Sequence, residues 1–224
     1  SDLVLFNQSF TNYEDSRPLR SFGPSRAARH GALAALVLSI GPPGLRLPHT
    51  GALTYTSDAA RIPAAALATE DADQLQRMAD RGQRIVVRLK MEAHFEGDVP
   101  SANVLGEVRG RELPEEFVVV GCHLDSWDVG AGASDDGGGC VATWEALRIM
   151  KKLNLRPRRT VRVVLWTNEE NGARGGVAYR DAHRAELKNH VLMIESDSGV
   201  FRPYGFGFSG TNRARETIQQ IGTL

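Results

Sequence analysis

The residues able to do chemistry gather at three places in the chain. His123 and Asp125 open the glycine-rich stretch "HLDSWDVGAGASDDGGG", which also carries Asp135 and Asp136. Glu169 and Glu170 follow the apolar run "TVRVVLWTN", and Asp197 follows "HVLMIES". One histidine and several carboxylates held together repel one another unless a cation sits among them. The donor set His, Asp, Glu, Asp suits Zn²⁺ and also Co²⁺ or Mn²⁺. Asp125 lies two residues past His123, on the same face of an extended strand, where it can orient the imidazole. Adjacent Glu169 and Glu170 point opposite ways on an extended strand end, so one can bind metal while the other holds a water. Metal-assisted hydrolysis needs that combination of a ligand and a free carboxylate base. Any one of these acids alone is ordinarily a solvated loop residue, and a lone strand-end histidine is ordinarily structural. Their joint placement after three apolar runs points to a metal site.

Three buried strands must position these groups. "EFVVVGCHLD" is nearly continuous in apolar residues, as a central strand of a covered sheet is. "TVRVVLWTNEE" and "HVLMIESDSG" have the same character. Between them lie the helical segments "GGCVATWEALRIMKKLN", with Val141, Trp144, Leu147 and Met150 near helical spacing, and "GARGGVAYRDAHRAEL". Strand–helix–strand–helix–strand predicts a mostly parallel α/β sheet with its sites at the carboxyl ends of the strands. Glycine in the 130–139 loop lets Asp135 fold back toward the end of the first strand.

A polar seam near residues 93–103, "AHFEGDVPSAN", divides this half from what precedes it. Residues 1–97 predict a small α+β domain and residues 98–224 the catalytic one. In the first, "DLVLFNQ" and "QRIVVRLKMEA" read as strands. "SRAARHGALAALVLSI" reads as an apolar-faced helix capped at Ser25, and "IPAAALATEDADQLQRMADRG" as a strand and then a helix with Thr69 as N-cap and Gly82 as stop. "ARETIQQIGTL" reads as a helix under way where the chain stops, which suggests a truncated domain. Cys122 and Cys140, eighteen apart, form neither a CxxC nor a disulfide framework and do not fix the redox compartment. Asn7-Gln8-Ser9 is a glycosylation sequon, a weak sign of secretion. The charge balance of 27 basic and 27 acidic residues gives no footprint for nucleic acid or a membrane surface. No apolar run reaches the roughly 18–20 residues that span a bilayer. There is no signal peptide and no initiator Met, so the expectation is a chain that starts within a protein or has been processed.

The motifs "HLDSWDVGAGASDDGGG", "VVLWTNEENG" and "MIESDSG" together resemble the co-catalytic di-zinc exopeptidases, which include leucine-type aminopeptidases and glutamate carboxypeptidases. "GCHLDSWDVGAGASDDGGG" and "WEALRIMKKLNLRPRRTVRVVLWTNEE" are most similar to the plasma glutamate carboxypeptidase branch. The resemblance rests on the twelve-residue step from His123 to Asp135 and the thirty-four-residue step from Asp135 to Glu169. It implies that Asp135 bridges two zinc ions, that His123 and Asp197 complete the first site, and that Glu170 binds the second ion. It implies Glu169 as general base, Asp125 as the partner of His123, and a cis Asp135–Asp136 peptide. It also implies a protease-associated domain in residues 1–97, short peptides or dipeptides as substrates, a homodimer at full length, and a secreted or lysosomal location. The resembled enzymes take one more histidine downstream of the third acid. None follows Asp197 here, and His183 and His190 read as structural. The expectation is therefore a fragment with one complete zinc site, inactive alone. Three rivals are weaker. A glutaminyl cyclase-like single-zinc enzyme loses the second acid of the Asp-Asp pair, present here as Asp136. A receptor-like relative loses its ligands, present here. "GFGFSG" at 205–210 fits a dinucleotide-binding glycine pattern without the acid that should follow it.

Overall fold

The computed structural model describes residues 2–94, 96–127, 130–203 and 205–223. The elements run β1 (Leu3–Phe6), α1 (Tyr13–Arg29), β2 (Ala34–Leu38), β3 (Ala64–Leu67), α2 (Thr69–Asp80), β4 (Val104–Val108), β5 (Leu113–His123), α3 (Gly138–Lys152), β6 (Arg159–Trp166), α4 (Arg174–Ala182), β7 (His190–Glu195) and α5 (Asn212–Ile221). They form two compact units. One comprises Ser1–Asn103, Asp125–Ala131 and Trp166–Arg184; the other comprises Val104–Leu124, Gly132–Leu165 and Ala185–Leu224. The α/β class expected from the alternation of elements is the class observed.

The first unit is built on a three-stranded parallel sheet in the order β1-β2-β3. Ala35, Leu36, Val37 and Leu38 of β2 are buried at its centre. α1 starts where Asn12 accepts the N–H of Asp15, with Glu14 and Asp15 favourably placed in its first turn. The single helix expected from Ser25 onward is instead the end of α1 followed by β2. Gly31, at φ +83°, makes the turn between them. A short apolar run suits a buried strand and a buried helix alike, and the neighbouring strands decide which forms. The strand expected in "QRIVVRLKMEA" is absent. Its composition is strand-like, but no described strand pairs with it, and Val86, Val87 and Met91 are exposed. α2 forms as expected with its start shifted by one residue: Ala68 is the N-cap and Thr69 the first helical residue.

The second unit holds a mixed sheet in the order β4-β6-β5-β7, antiparallel between β4 and β6 and parallel between β5 and β7. β5 and β6 are internal, as their apolar runs predict. β7 is half-exposed at the edge, with Val191 and Met193 open. On one face Leu147 of α3 packs with Val161 and Val163, bordered by Val108, Val120, Met150 and Leu165. Trp144, one turn before Leu147, stays exposed, as does Val141, which six residues of helix place about 120° around from Leu147. Next to this core a groove of about 510 Å³ runs between β4 and α3, lined by Leu105, Trp144 and Leu165 among others. The buried guanidinium of Arg162 is paired with Glu107 at 2.6 Å and Glu186 at 2.9 Å, and lies 4.1 Å over the Phe117 ring. A buried cation is tolerated when its donors are met this way. No described helix is long and apolar enough to cross a membrane.

Leu147 joins α3 to this sheet, so Leu147→Ala leaves a cavity where helix and strands meet. The expected cost is ~2–5 kcal/mol, read as a lower urea midpoint. A midpoint unchanged from the parent protein would contradict this account of the core.

Candidate metal centre

Strand register carries a histidine and an aspartate of the second unit to one place. β5 ends at His123, and β7 runs parallel beside it with Gly121 opposite Glu195. The Ser196 N–H donates to the Gly121 carbonyl at 2.9 Å, so the pairing continues past the end of β7. Two residues beyond Gly121 and Glu195 stand His123 and Asp197. His123 Nε2 lies 3.4 Å from Asp197 Oδ1. Asp135 arrives along the glycine-rich loop, and its Oδ1 lies 3.0 Å from the same nitrogen. The imidazole is 1% exposed, against 68% for Asp135 and 43% for Asp197. A buried nitrogen thus faces two carboxylates that solvent reaches.

Asp136 does more than its position beside Asp135 advertises. It is buried and accepts the backbone N–H of His123 at 3.1 Å and of Gly139 at 3.2 Å. Its carboxylate, the His123 ring and Asp197 each offer a ligand atom within 4.8 Å of the others. The peptide joining Asp135 to Asp136 is cis. The only sequence signal for Asp136 is the doubled acid before three glycines. One of these, Gly139, marks a close approach: a Cβ there would stand 1.9 Å from the Ser196 carbonyl oxygen and 2.3 Å from Asp136 Oδ1. Cys122, immediately before His123, is disulfide-bonded to Cys140 in the first turn of α3, a pairing that cysteine number and spacing do not foretell.

The electrostatics favour a cation. Burial pushes the Asp136 carboxyl above the usual carboxylate range, with the His123 N–H opposing and the charge of Asp197 adding to the rise. Burial likewise raises Asp197, opposed by His123 and reinforced by Asp135. A cation at this point reverses the penalty, because it favours the ionised form of each acid. Donor atoms about 2.1 Å from a tetrahedral zinc stand roughly 3.4 Å apart, close to the separations seen here. The donor set fits zinc in chemistry, and the separations of Asp135 and Asp197 from His123 Nε2 fit it in size.

The other expected site residues belong to the first unit. β6 ends at Trp166, and Glu169 and Glu170 lie in the turn before α4, with Asn168 at φ +55°. Strand alternation therefore does not set the directions of their side chains. Asp125 organises this turn: its Oδ1 accepts the Glu169 N–H at 2.8 Å and its Oδ2 the Glu170 N–H at 3.1 Å. Asn103 pins the two ends, accepting from the Thr167 N–H at 3.0 Å and donating to the Gly175 carbonyl at 2.8 Å. β5 ends at His123, so the shared-strand-face argument for Asp125 does not carry over. His183 packs on Tyr179 with ring centroids 4.2 Å apart, and His190 on Phe117 at 5.2 Å, as structural histidines do.

The chain is 46% identical to carboxypeptidase Q of Bos taurus and 43% identical to that of Homo sapiens. Each match covers 99% of this chain and 47% of the relative, so the chain spans about half the length of these relatives. Among solved structures it is similar to a peptidase M28 precursor from Shewanella amazonensis, with a TM-score of 0.81 and 40% identity over 84% of this chain and 42% of that one. A zinc aminopeptidase from Bacillus subtilis, 20% identical with a TM-score of 0.53 over 85% of this chain and 42% of its own, shares the fold. The sequence profile of peptidase family M28 matches residues 103–223, more than half of the chain, and the chain belongs to that family.

Proposed function

We propose that the full-length protein is a zinc-dependent exopeptidase that hydrolyses short peptides, dipeptides foremost. The observation that carries this reading is the meeting of Asp135 and Asp197 at His123 Nε2, in a chain of family M28. In this reading His123, Asp135 and Asp197 would hold one zinc, and Asp135 and Glu170 would supply carboxylates to a second. Bound, the two ions supply Lewis acidity toward the peptide carbonyl and lower the pKa of water toward 7. Glu169 accepts the proton of the attacking water and delivers it to the leaving amine. Asp125 is a positioning residue: by accepting the N–H groups of Glu169 and Glu170 it holds the base and the ligand in one rigid turn. Asp136 plays the same part for His123 and for the start of α3.

Residues 1–97 as an inserted protease-associated domain, a homodimer, and a secreted or lysosomal location belong to the same reading. The location is supported by the Cys122–Cys140 disulfide, since such bonds persist in oxidising compartments. The relatives are about twice as long as residues 1–224, so the tests below use the full-length protein.

Metal analysis of unchelated protein is expected to return two zinc ions per chain; one or none overturns the two-ion reading. Glu169→Gln is expected to reduce dipeptide turnover by at least about 10²–10⁴-fold while zinc content stays unchanged, and surviving turnover removes Glu169 as the base. Gly139→Ala drives a methyl group into Ser196 and Asp136. It is expected to lower zinc occupancy, and full occupancy would contradict the close approach at Gly139.

A further inference from the structure

The loop that carries Asp135 is closed covalently at its base. Cys122 is the residue before His123 on β5, and Cys140 is the third residue of α3; their Cα atoms are 5.0 Å apart across the disulfide. Cys140 Sγ lies 3.2 Å from the His123 carbonyl oxygen. Just inside this closure Asp136 bonds the backbone N–H groups of His123 and Gly139, and the Thr143 hydroxyl donates to the Gly139 carbonyl at 2.8 Å. The covalent ring therefore contains His123, Asp135 and Asp136, and its two ends are the strand and the helix that set their spacing. Cys122 is fully buried, and Cys140 is the less buried of the pair.

We propose that the Cys122–Cys140 disulfide is a positioning device for the metal centre, so that zinc affinity depends on its redox state. The proposal rests on the zinc reading above. Closing the loop removes conformational freedom that the metal would otherwise have to suppress when His123 and Asp135 share an ion. Reduction by a dithiol breaks the S–S bond through a mixed disulfide. Two electrons pass from the dithiol, whose sulfurs become a disulfide, and Cys122 and Cys140 each take up a proton as thiols. The loop is then held at its base by hydrogen bonds, those of Asp136 among them, and the spacing of His123 and Asp135 widens its range.

The experiment measures the zinc affinity of the full-length protein by competition with a chromophoric chelator. It compares the oxidised protein, the protein reduced with a water-soluble phosphine, and the Cys122→Ser/Cys140→Ser variant, in which no thiol can bind the ion. The phosphine takes an oxygen from water as the disulfide becomes two thiols, and it avoids the zinc chelation of a dithiol. The expected result is an affinity about tenfold weaker in both altered forms, together with shifted visible bands in the cobalt-substituted protein. Val161→Ala, a core change distant in sequence from the loop, is expected to lower the melting temperature while leaving zinc affinity within twofold. Affinities within twofold across the redox states, or two free thiols in the air-exposed protein, overturn the proposal alone. An oxidised protein that binds no zinc overturns the zinc reading and this proposal with it. If the serine variant does not fold, the reduced parent protein, read below its own melting temperature, decides the question.

Discussion

The carboxylate of Asp136 is 1% exposed and accepts two backbone N–H groups, from His123 at the end of β5 and from Gly139 at the start of α3. Removing a charge from water is costly unless hydrogen bonds or a counter-charge replace the lost solvation. The two N–H donors replace part of it. Burial still holds the Asp136 carboxyl above the usual carboxylate range, against the opposing His123 N–H. What remains is an electrostatic debt at one point of the second unit, shared with Asp197. Either protons or a cation settle it. The strand end, the helix start and the loop between them are arranged around groups whose ionised forms call for positive charge.

Close approach is the steric counterpart of that constraint. The chain leaving β7 passes so near the first turn of α3 that no side chain fits at Gly139. The same passage sets Asp197 beside His123, because the parallel register of β5 and β7 continues through the Ser196–Gly121 hydrogen bond. The Cys122–Cys140 disulfide closes the loop at its base. Main-chain pairing, a glycine contact and a covalent link thus converge on His123 without any of them touching its Nε2, which stays available to Asp135 and Asp197. In the first unit the turn at Glu169 and Glu170 is organised by the same device in simpler form, one carboxylate accepting two consecutive N–H groups.

The elements of the second unit were largely legible in the sequence. Apolar runs with glycine and acids at their ends predict strands, and β5, β6 and β7 formed where the runs lie, although β7 is half-exposed at the sheet edge rather than buried. The first unit was less legible. The run "ALAALVLSI" is too short for its periodicity to separate helix from strand, and neighbouring strands settled it as β2. "QRIVVRLKMEA" shows the reverse case: strand composition without a described strand to pair with remains loop. Likewise Trp144, one turn before Leu147, lies exposed, since helical spacing names a face and only packing shows what covers it.

By itself the sequence determined which residues are candidates for chemistry and their order along the chain: His123, Asp135, Glu169, Glu170 and Asp197, each at the end of an apolar run or within a glycine-rich loop. That information is local, and local patterns of apolar and polar residues specify strands and their ends. Tertiary structure decided what depends on distance between separate segments. It gave Asp136 its burial and its two N–H partners, engaged Asp125 with the Glu169–Glu170 turn, and paired Cys122 with Cys140. It also set the 3.0 and 3.4 Å separations at His123 Nε2. Those facts follow from sheet register and from the path of the loop, which no stretch of sequence encodes alone.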